Sequence, residues 1–241
     1  MNLDFFRDIN SKLSKKETPK VDLHIHTNWT DGKDSVNKIF KVADKLKLKH
    51  IFFSEHSRKD SGNWFFNFKN EIIENNLKFN CKGIIGTEVK ILNNHGDLDI
   101  SDNILEQSEL VMASVHRFPG EKGNILKISK SFNEKEALRT EYSLSMVALD
   151  NPQTNILGHP FGMSLKRFKI IPPKKLFIDL IKKAAKKDKI FEINIRYHHN
   201  ILELIELCIK YDCLISLGSN AHSTQEIGLI YNYLKRNYEK N

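Results

Sequence analysis

The chain has no apolar run approaching the roughly 20 residues that a membrane-spanning helix requires, which argues against an integral membrane protein. Its first residues, MNLDFFRDINSKLSKK, carry Asp4 and Asp8 and have no continuous apolar stretch. They do not read as a secretory signal, and the cytoplasm is the expected residence. Cysteine is scarce: Cys81, Cys208 and Cys213 form no CxxC pair, and an odd count argues against a disulfide framework. Cys208 falls in an amphipathic helical pattern and Cys213 opens an apolar strand, so the expectation is burial as small hydrophobes. Internal repeats, low-complexity segments and an evident linker are also lacking.

What is present is an ordinary globular composition: 241 residues, 40% hydrophobic and 28% charged, enough for one barrel-sized domain or two small ones. The net charge of +8 points to nucleic acid or to an anionic substrate. Much of the lysine lies on helix faces, as in KKAAKKDK (182–189), where a solvated surface explains it, and the richness in Asn, Lys and Ile suggests codon bias. The charge is discounted accordingly.

Short β-rich runs alternate with longer segments of helical period. The strands are expected at Val21–His26, His50–Ser54, Gly83–Ile91, Leu110–His116, Asn155–Gly158, Ile190–Ile195 and Cys213–Gly218. Between the first two, Val36, Ile39, Phe40, Ala43 and Leu46 share one helical face, with Asp34 or Ser35 available as N-cap. Similar patterns fill Trp64–Phe79, Asn133–Leu149, Lys174–Lys187, Asn200–Tyr211 and Thr224–Tyr238. This alternation indicates parallel βαβ units, and their number favours one closed α/β barrel over two domains. NNHG (93–96) reads as a hairpin turn joining Thr87–Leu92 to Asp97–Ile100. Residues 1–18 are expected as a helical extension on the outside of a barrel formed by 19–241.

Ten histidines are present, and six of them, His24, His26, His56, His116, His159 and His222, fall at or just beyond the ends of expected strands. In a barrel of parallel strands those ends open on one face, so core packing explains the set poorly. His24 and His26 form an HxH pair whose side chains leave an extended strand on the same side. Glu88, in GTEV, and Asp31, in TDG, add carboxylates. Such a set suits Zn, Mn or Fe, and the lack of a matching cysteine set argues against a structural zinc site. His50 should lie at the opposite end of the barrel and His95 in the hairpin turn. His198 and His199 are expected to begin a helix, on the surface or behind the site.

The stretches VDLHIHTNWTDG, FFSEHS, GTEV, ASVHR, ILGHPFG, FEINIR and SNAHS together resemble the PHP (polymerase and histidinol phosphatase) superfamily, in the family's order and over nearly the whole chain. The resemblance implies a distorted (β/α)7 barrel and a phosphoesterase holding two or three divalent metals at the C-terminal rim. It implies His24 and His26 as ligands of one metal, Glu88 bridging to a second completed by His116 and His159, and Asp31, His56 and His222 as ligands of a third. The family's closing motif is Ser-Asp-Ala-His, and here Asn220 occupies the position of the Asp, a ligand of the first metal. An amide oxygen can coordinate, but it brings no charge and cannot act as a base.

The expected reaction is in-line attack of a metal-activated hydroxide on a phosphate monoester of a small metabolite, with Glu88 fixing the metal pair and Asp31 or His222 assisting at the leaving oxygen or orienting water. Arg117, Arg196 and Arg58 are the candidate phosphate contacts, since guanidinium groups match phosphate geometry; Lys90 is a further one. Glu192 and Asn194 are placed to orient ligand imidazoles. Two other readings stay open: a nuclease, which the positive charge suits, and a metal-binding module impaired at Asn220. Oligomeric state and substrate identity are not legible. The rim loops Arg58–Phe68 and Arg117–Asn133 are where specificity should lie, and Trp64–Phe66 reads as helix packing or a pocket wall.

Overall fold

The computed structural model describes residues 3–118 and 133–239, so most of the rim loop expected over Arg117–Asn133 lies outside the described residues. Seven strands, β1 Val21–Ile25, β2 His50–His56, β3 Lys82–Lys90, β4 Leu110–Ser114, β5 Ile156–Gly158, β6 Ile190–Asn194 and β7 Leu214–Gly218, pair in parallel in sequence order. β7 returns beside β1, where a single parallel bridge joins Ile25 to Ala221. There His26 N–H donates to the Ala221 carbonyl at 2.9 Å. Asp22 reinforces the seam, its carboxylate accepting from the N–H groups of Ser219 at 2.9 Å and Gly228 at 2.7 Å. The result is the expected seven-stranded α/β barrel, nearly closed.

The helices follow the apolar periodicity. α1 (Leu3–Ser14) buries Phe6, Ile9 and Leu13, and Asn10 clamps it to β7 through the Cys213 carbonyl at 2.8 Å and the Ile215 N–H at 3.1 Å. α2 (Val36–Lys45) starts at Ser35, whose hydroxyl accepts from Lys38 N–H, and it buries Val36, Ile39, Phe40 and Ala43, with Phe40 meeting Phe53 of β2 at a ring-centroid distance of 5.4 Å. In α3 (Trp64–Lys78) Phe65 and Phe68 enter the core, while Phe66 is 60% exposed. Trp64 stacks on Trp29 with ring centroids 6.1 Å apart, consistent with helix packing. All three cysteines are buried.

Several elements depart from expectation. The stretch Thr224–Tyr238 is two pieces, a 3-10 turn Thr224–Glu226 and a later helix, because Gly228 at φ 75° turns the chain left-handed so that its N–H reaches Asp22. A short helix α4 (Asp102–Gln107), capped by Ser101, was not legible as a periodic segment. NNHG does make a hairpin turn, but with one antiparallel bridge, Ile91 to Leu98. α5 (Glu134–Ala148), α6 (Lys174–Lys186), α7 (Ile201–Lys210) and α8 (Leu229–Tyr238) complete the outer layer. No helix among the described residues is long and apolar enough to cross a membrane.

A π-helical turn, Ser164–Phe168, follows β5 and was not expected either. Glu141 of α5 holds it: its buried carboxylate accepts from Met163 N–H at 2.9 Å and from the Ser164 N–H and hydroxyl at 2.7 and 2.6 Å. Burial pushes the Glu141 carboxyl up to about 7, against the opposing effect of these bonds. The folded chain therefore holds this proton more tightly than the unfolded chain, and the contribution of Glu141 to stability falls as pH rises from 4.5 to about 7. Urea unfolding on either side of that window should show the wild type losing stability relative to Glu141→Gln as pH rises; a gain would contradict this account.

Candidate metal centre

Each strand end delivers its side chain to the same rim. His24 lies within β1 and His26 just after it, both fully buried, with their Nε2 atoms 3.0 Å apart. Glu88, near the end of β3, is 1% exposed and stands at the middle. Its Oε1 lies 2.7 Å from His159 Nε2 and 3.1 Å from His116 Nε2. Its Oε2 lies 3.4 Å from His24 Nε2, 3.5 Å from His26 Nε2 and 3.3 Å from His56 Nδ1. Asp31 approaches from the TDG turn, with Oδ2 3.3 Å from His56 Nε2 and 3.4 Å from His222 Nε2. Gly32 allows that turn, because a Cβ there would meet the His26 carbonyl oxygen at 2.4 Å.

These donors form three groups suited to a cation, each with its donor atoms within 4.8 Å of one another: His26, Asp31, His56 and His222; His24, Glu88 and His159; and His56, Glu88 and His116. These sets overlap, and the same distances are compatible with the partition that the resemblance implies, since Glu88 Oε2 lies near both His24 and His26 and Oε1 near both His116 and His159. Glu88 is shared between two groups, and so is His56, one ring nitrogen to each. Asn220 lies at φ 50° with its Oδ1 buried and without a partner. His26 Nδ1 and His159 Nδ1 are buried and make no hydrogen bond, His26 Nδ1 lying 3.8 Å from Asp31 Oδ1. Imidazoles and carboxylates converging this tightly, with orphaned ring nitrogens among them, fit bound divalent cations.

The electrostatics point the same way. Burial would raise the Glu88 carboxyl, but the imidazoles of His116, His24 and His159 hold it well below the usual carboxylate range. Burial would lower His24, yet Glu192 and Glu88 outweigh it and raise its pKa to about 10. A cation and a proton compete for such a nitrogen. Asp31 is held low by His222 and His56, against its partial burial. The carboxylates are thus anionic, as cation binding requires.

Glu192 of β6 stands behind the donors. It accepts from His24 Nδ1 at 2.7 Å, from His159 N–H at 2.6 Å and from Asn194 Nδ2 at 2.7 Å. This leaves His24 Nε2 aimed at the site. Gly218 makes room, since a Cβ there would lie 2.2 Å from Glu192 Oε1. Glu55 anchors the HxHT segment by accepting from Thr27 N–H at 2.5 Å and from the Thr30 hydroxyl. His198 does not begin α7, nor does His199; both precede it. His198 is a buried neutral brace, pushed down to about 4 by burial. Its Nε2 donates to the Pro160 carbonyl at 2.9 Å and its Nδ1 accepts from Asn194 N–H at 3.0 Å.

A cleft of about 630 Å³ opens over the donors. Arg58, Lys90, Arg117 and Arg196 all reach its wall. Arg196 pairs with Glu226, which also accepts from His222 N–H at 2.8 Å. Lys90 pairs with Asp99 at 3.2 Å. Tyr197 was missed by sequence reasoning: its ring stacks on His159 with centroids 4.4 Å apart, and it too lines the cleft. Its position directly after FEINIR was the only signal. His50 lies at the other end of β2, against Phe5, and His95 sits in the hairpin turn.

A family model described as PHP domain matches residues 22–196. A probable phosphatase of Clostridium acetobutylicum is 26% identical over 221 residues, 86% of this chain and 81% of that protein. A DNA polymerase/3′-5′ exonuclease of Bacillus subtilis is 27% identical over 164 residues, 61% of this chain and 24% of that protein. Among solved structures, a putative histidinol phosphatase of Listeria monocytogenes superposes with a TM-score of 0.70 at 16% identity, covering 88% of this chain and 99% of that one. Histidinol phosphate phosphatase of Lactococcus lactis, complexed with zinc, L-histidinol and phosphate, gives 0.67 at 20% identity over 92% of this chain and 93% of that one.

If Glu192 orients His24, Glu192→Gln should weaken divalent-cation binding about 10- to 100-fold while the fold survives. Chelator-competition titration alongside circular dichroism reads both, and unchanged affinity would contradict the orienting role.

Proposed function

The chain belongs to the PHP domain family, and on that premise we propose that it is a divalent-metal-dependent phosphoesterase hydrolysing a phosphate monoester of a small metabolite. The observation that supports this best is Glu88, buried among five imidazoles at the floor of a cleft whose wall carries arginine. His24, Glu88 and His159 would hold one cation, His56, Glu88 and His116 a second, and His26, Asp31, His56 and His222 a third. Zinc, manganese or iron suits these donors. When bound, such ions lower the pKa of water to about 7 and offset charge developing on a phosphoryl group.

The chain's own residues do the rest. Glu88, shared between two donor groups, fixes their spacing. His222 donates from Nδ1 to the Asn220 carbonyl at 3.1 Å, which leaves Nε2 for the site. Asp31 and His222 stand at the open edge and orient water and the leaving oxygen. Arg58, whose guanidinium has no partner among the described residues, binds the phosphate together with Arg117 and Arg196. Because Arg196 is held by Glu226, it is fixed in direction and partly neutralised. The cleft's size suits a small ligand, and this favours the monoesterase over the nuclease that the exonuclease relative brings to mind.

The metal-loaded protein should hydrolyse p-nitrophenyl phosphate and at least one phosphorylated metabolite, with chelator abolishing turnover and Mn²⁺ or Zn²⁺ restoring it. His24→Ala should reduce turnover by orders of magnitude. Silence across such a panel, or degradation of labelled DNA or RNA alone, would overturn the monoesterase reading.

A further inference from the structure

Tyr197 and Asn220 meet beside the donor groups, and both line the cleft. Asn220 is 4% exposed, and its Nδ2 faces the Tyr197 hydroxyl at 3.4 Å, the long end of hydrogen-bonding range. Its Oδ1 is buried and receives no hydrogen bond. Tyr197 is fixed from two sides. Its ring lies on His159, and it packs over Gly162, where a Cβ would come within 3.1 Å of the ring.

A primary amide offers donors from its nitrogen and an acceptor at its oxygen, whereas a phenol has one proton and can also accept. With Nδ2 toward Tyr197, the phenol oxygen accepts, and its own proton is left for another acceptor. The orphan on the other side of the amide is then an oxygen, which a centre built to collect cation ligands can use. Turning the amide over would bury an NH₂ group there, beside a cation site, without an acceptor. A carboxylate at position 220 would behave in the opposite way. Having only acceptors, it would draw the Tyr197 proton to itself.

We infer that Tyr197 donates a hydrogen bond to the phosphoryl group in the cleft, and that Asn220, which can donate to the phenol oxygen, leaves the phenol proton free for this where a carboxylate would take it. The inference rests on the phosphoesterase reading above. It gives Asn220 a role of its own: the amide frees a donor that an acid at this position would consume.

A double-mutant cycle tests it, with metal content measured for every variant. Tyr197→Phe keeps the ring and its stacking and removes only the hydroxyl. It should lower turnover and weaken calorimetric binding of inorganic phosphate about 10- to 100-fold, with thermal stability little changed. In an Asn220→Asp background the same substitution should change phosphate affinity less than about twofold, because the carboxylate has already taken the proton. In an Asn220→Ala background, which has no carboxylate, the effect should persist. An unchanged phosphate affinity in Tyr197→Phe, or an equal effect in all three backgrounds, would overturn the inference even in an active phosphatase. Turnover by the wild type together with that result leaves the phosphoesterase reading standing. A wild type that binds phosphate and shows the predicted cycle but hydrolyses no ester refutes that reading alone. Absence of phosphate binding by the loaded wild type overturns the inference outright.

Discussion

Glu88 is buried at the end of β3 with five imidazoles aimed at its two oxygens, and an anion so placed is tolerable only because positive or polarisable groups surround it. Those groups come from β1, β2 and the segments after β4 and β5, so the one carboxylate gives four strand ends a common target. The groups behind it serve the same centre. Glu192 holds His24 and the His159 backbone, Glu55 holds the HxHT turn, and Glu226 holds the His222 backbone and Arg196. Glu192 and Glu55 are buried behind the donors, and each fixes a segment that carries one or more of them.

Backbone conformation carries part of the cost. His159 at φ 25° and Asn220 at φ 50° sit in the left-handed region, which is unfavourable for residues with a Cβ. His159 follows the end of β5 directly and Asn220 lies two residues beyond the end of β7, and each turns the chain sharply at the rim. His198 braces the first of these turns through the Pro160 carbonyl, and Glu141 holds the π-helical turn just beyond it. The Asp22 carboxylate ties the second turn to Gly228. Strain at the site is thus matched by buried hydrogen bonds one layer out.

Much of the barrel was legible because parallel strands buried on both faces read as apolar runs, and amphipathic helices read at their period. The ends were less so. The expected helix over Thr224–Tyr238 breaks at Gly228 because a distant aspartate accepts its N–H. The π-helical turn exists because Glu141, in another helix, supplies its acceptor. In the site, the histidines were visible through their places at strand ends. Tyr197 was not, since its importance lies in a ring contact with His159 and a hydroxyl contact with Asn220, both made between segments far apart in the chain.

The sequence by itself determined the order of strands and helices, the collection of histidines and acids at one rim, and the family, because these depend on periodicity and short motifs. Only the tertiary structure decided which nitrogen faces which oxygen. It brought His24, His26, Asp31, His56, Glu88, His116, His159 and His222 within reach of one another, with Glu88 and His56 each facing two sets of donors. It also placed the Asn220 amide against a phenol. The physical reason is that hydrogen-bond direction and charge sharing depend on distances of a few ångströms between strand ends, and those distances exist only once the barrel has closed.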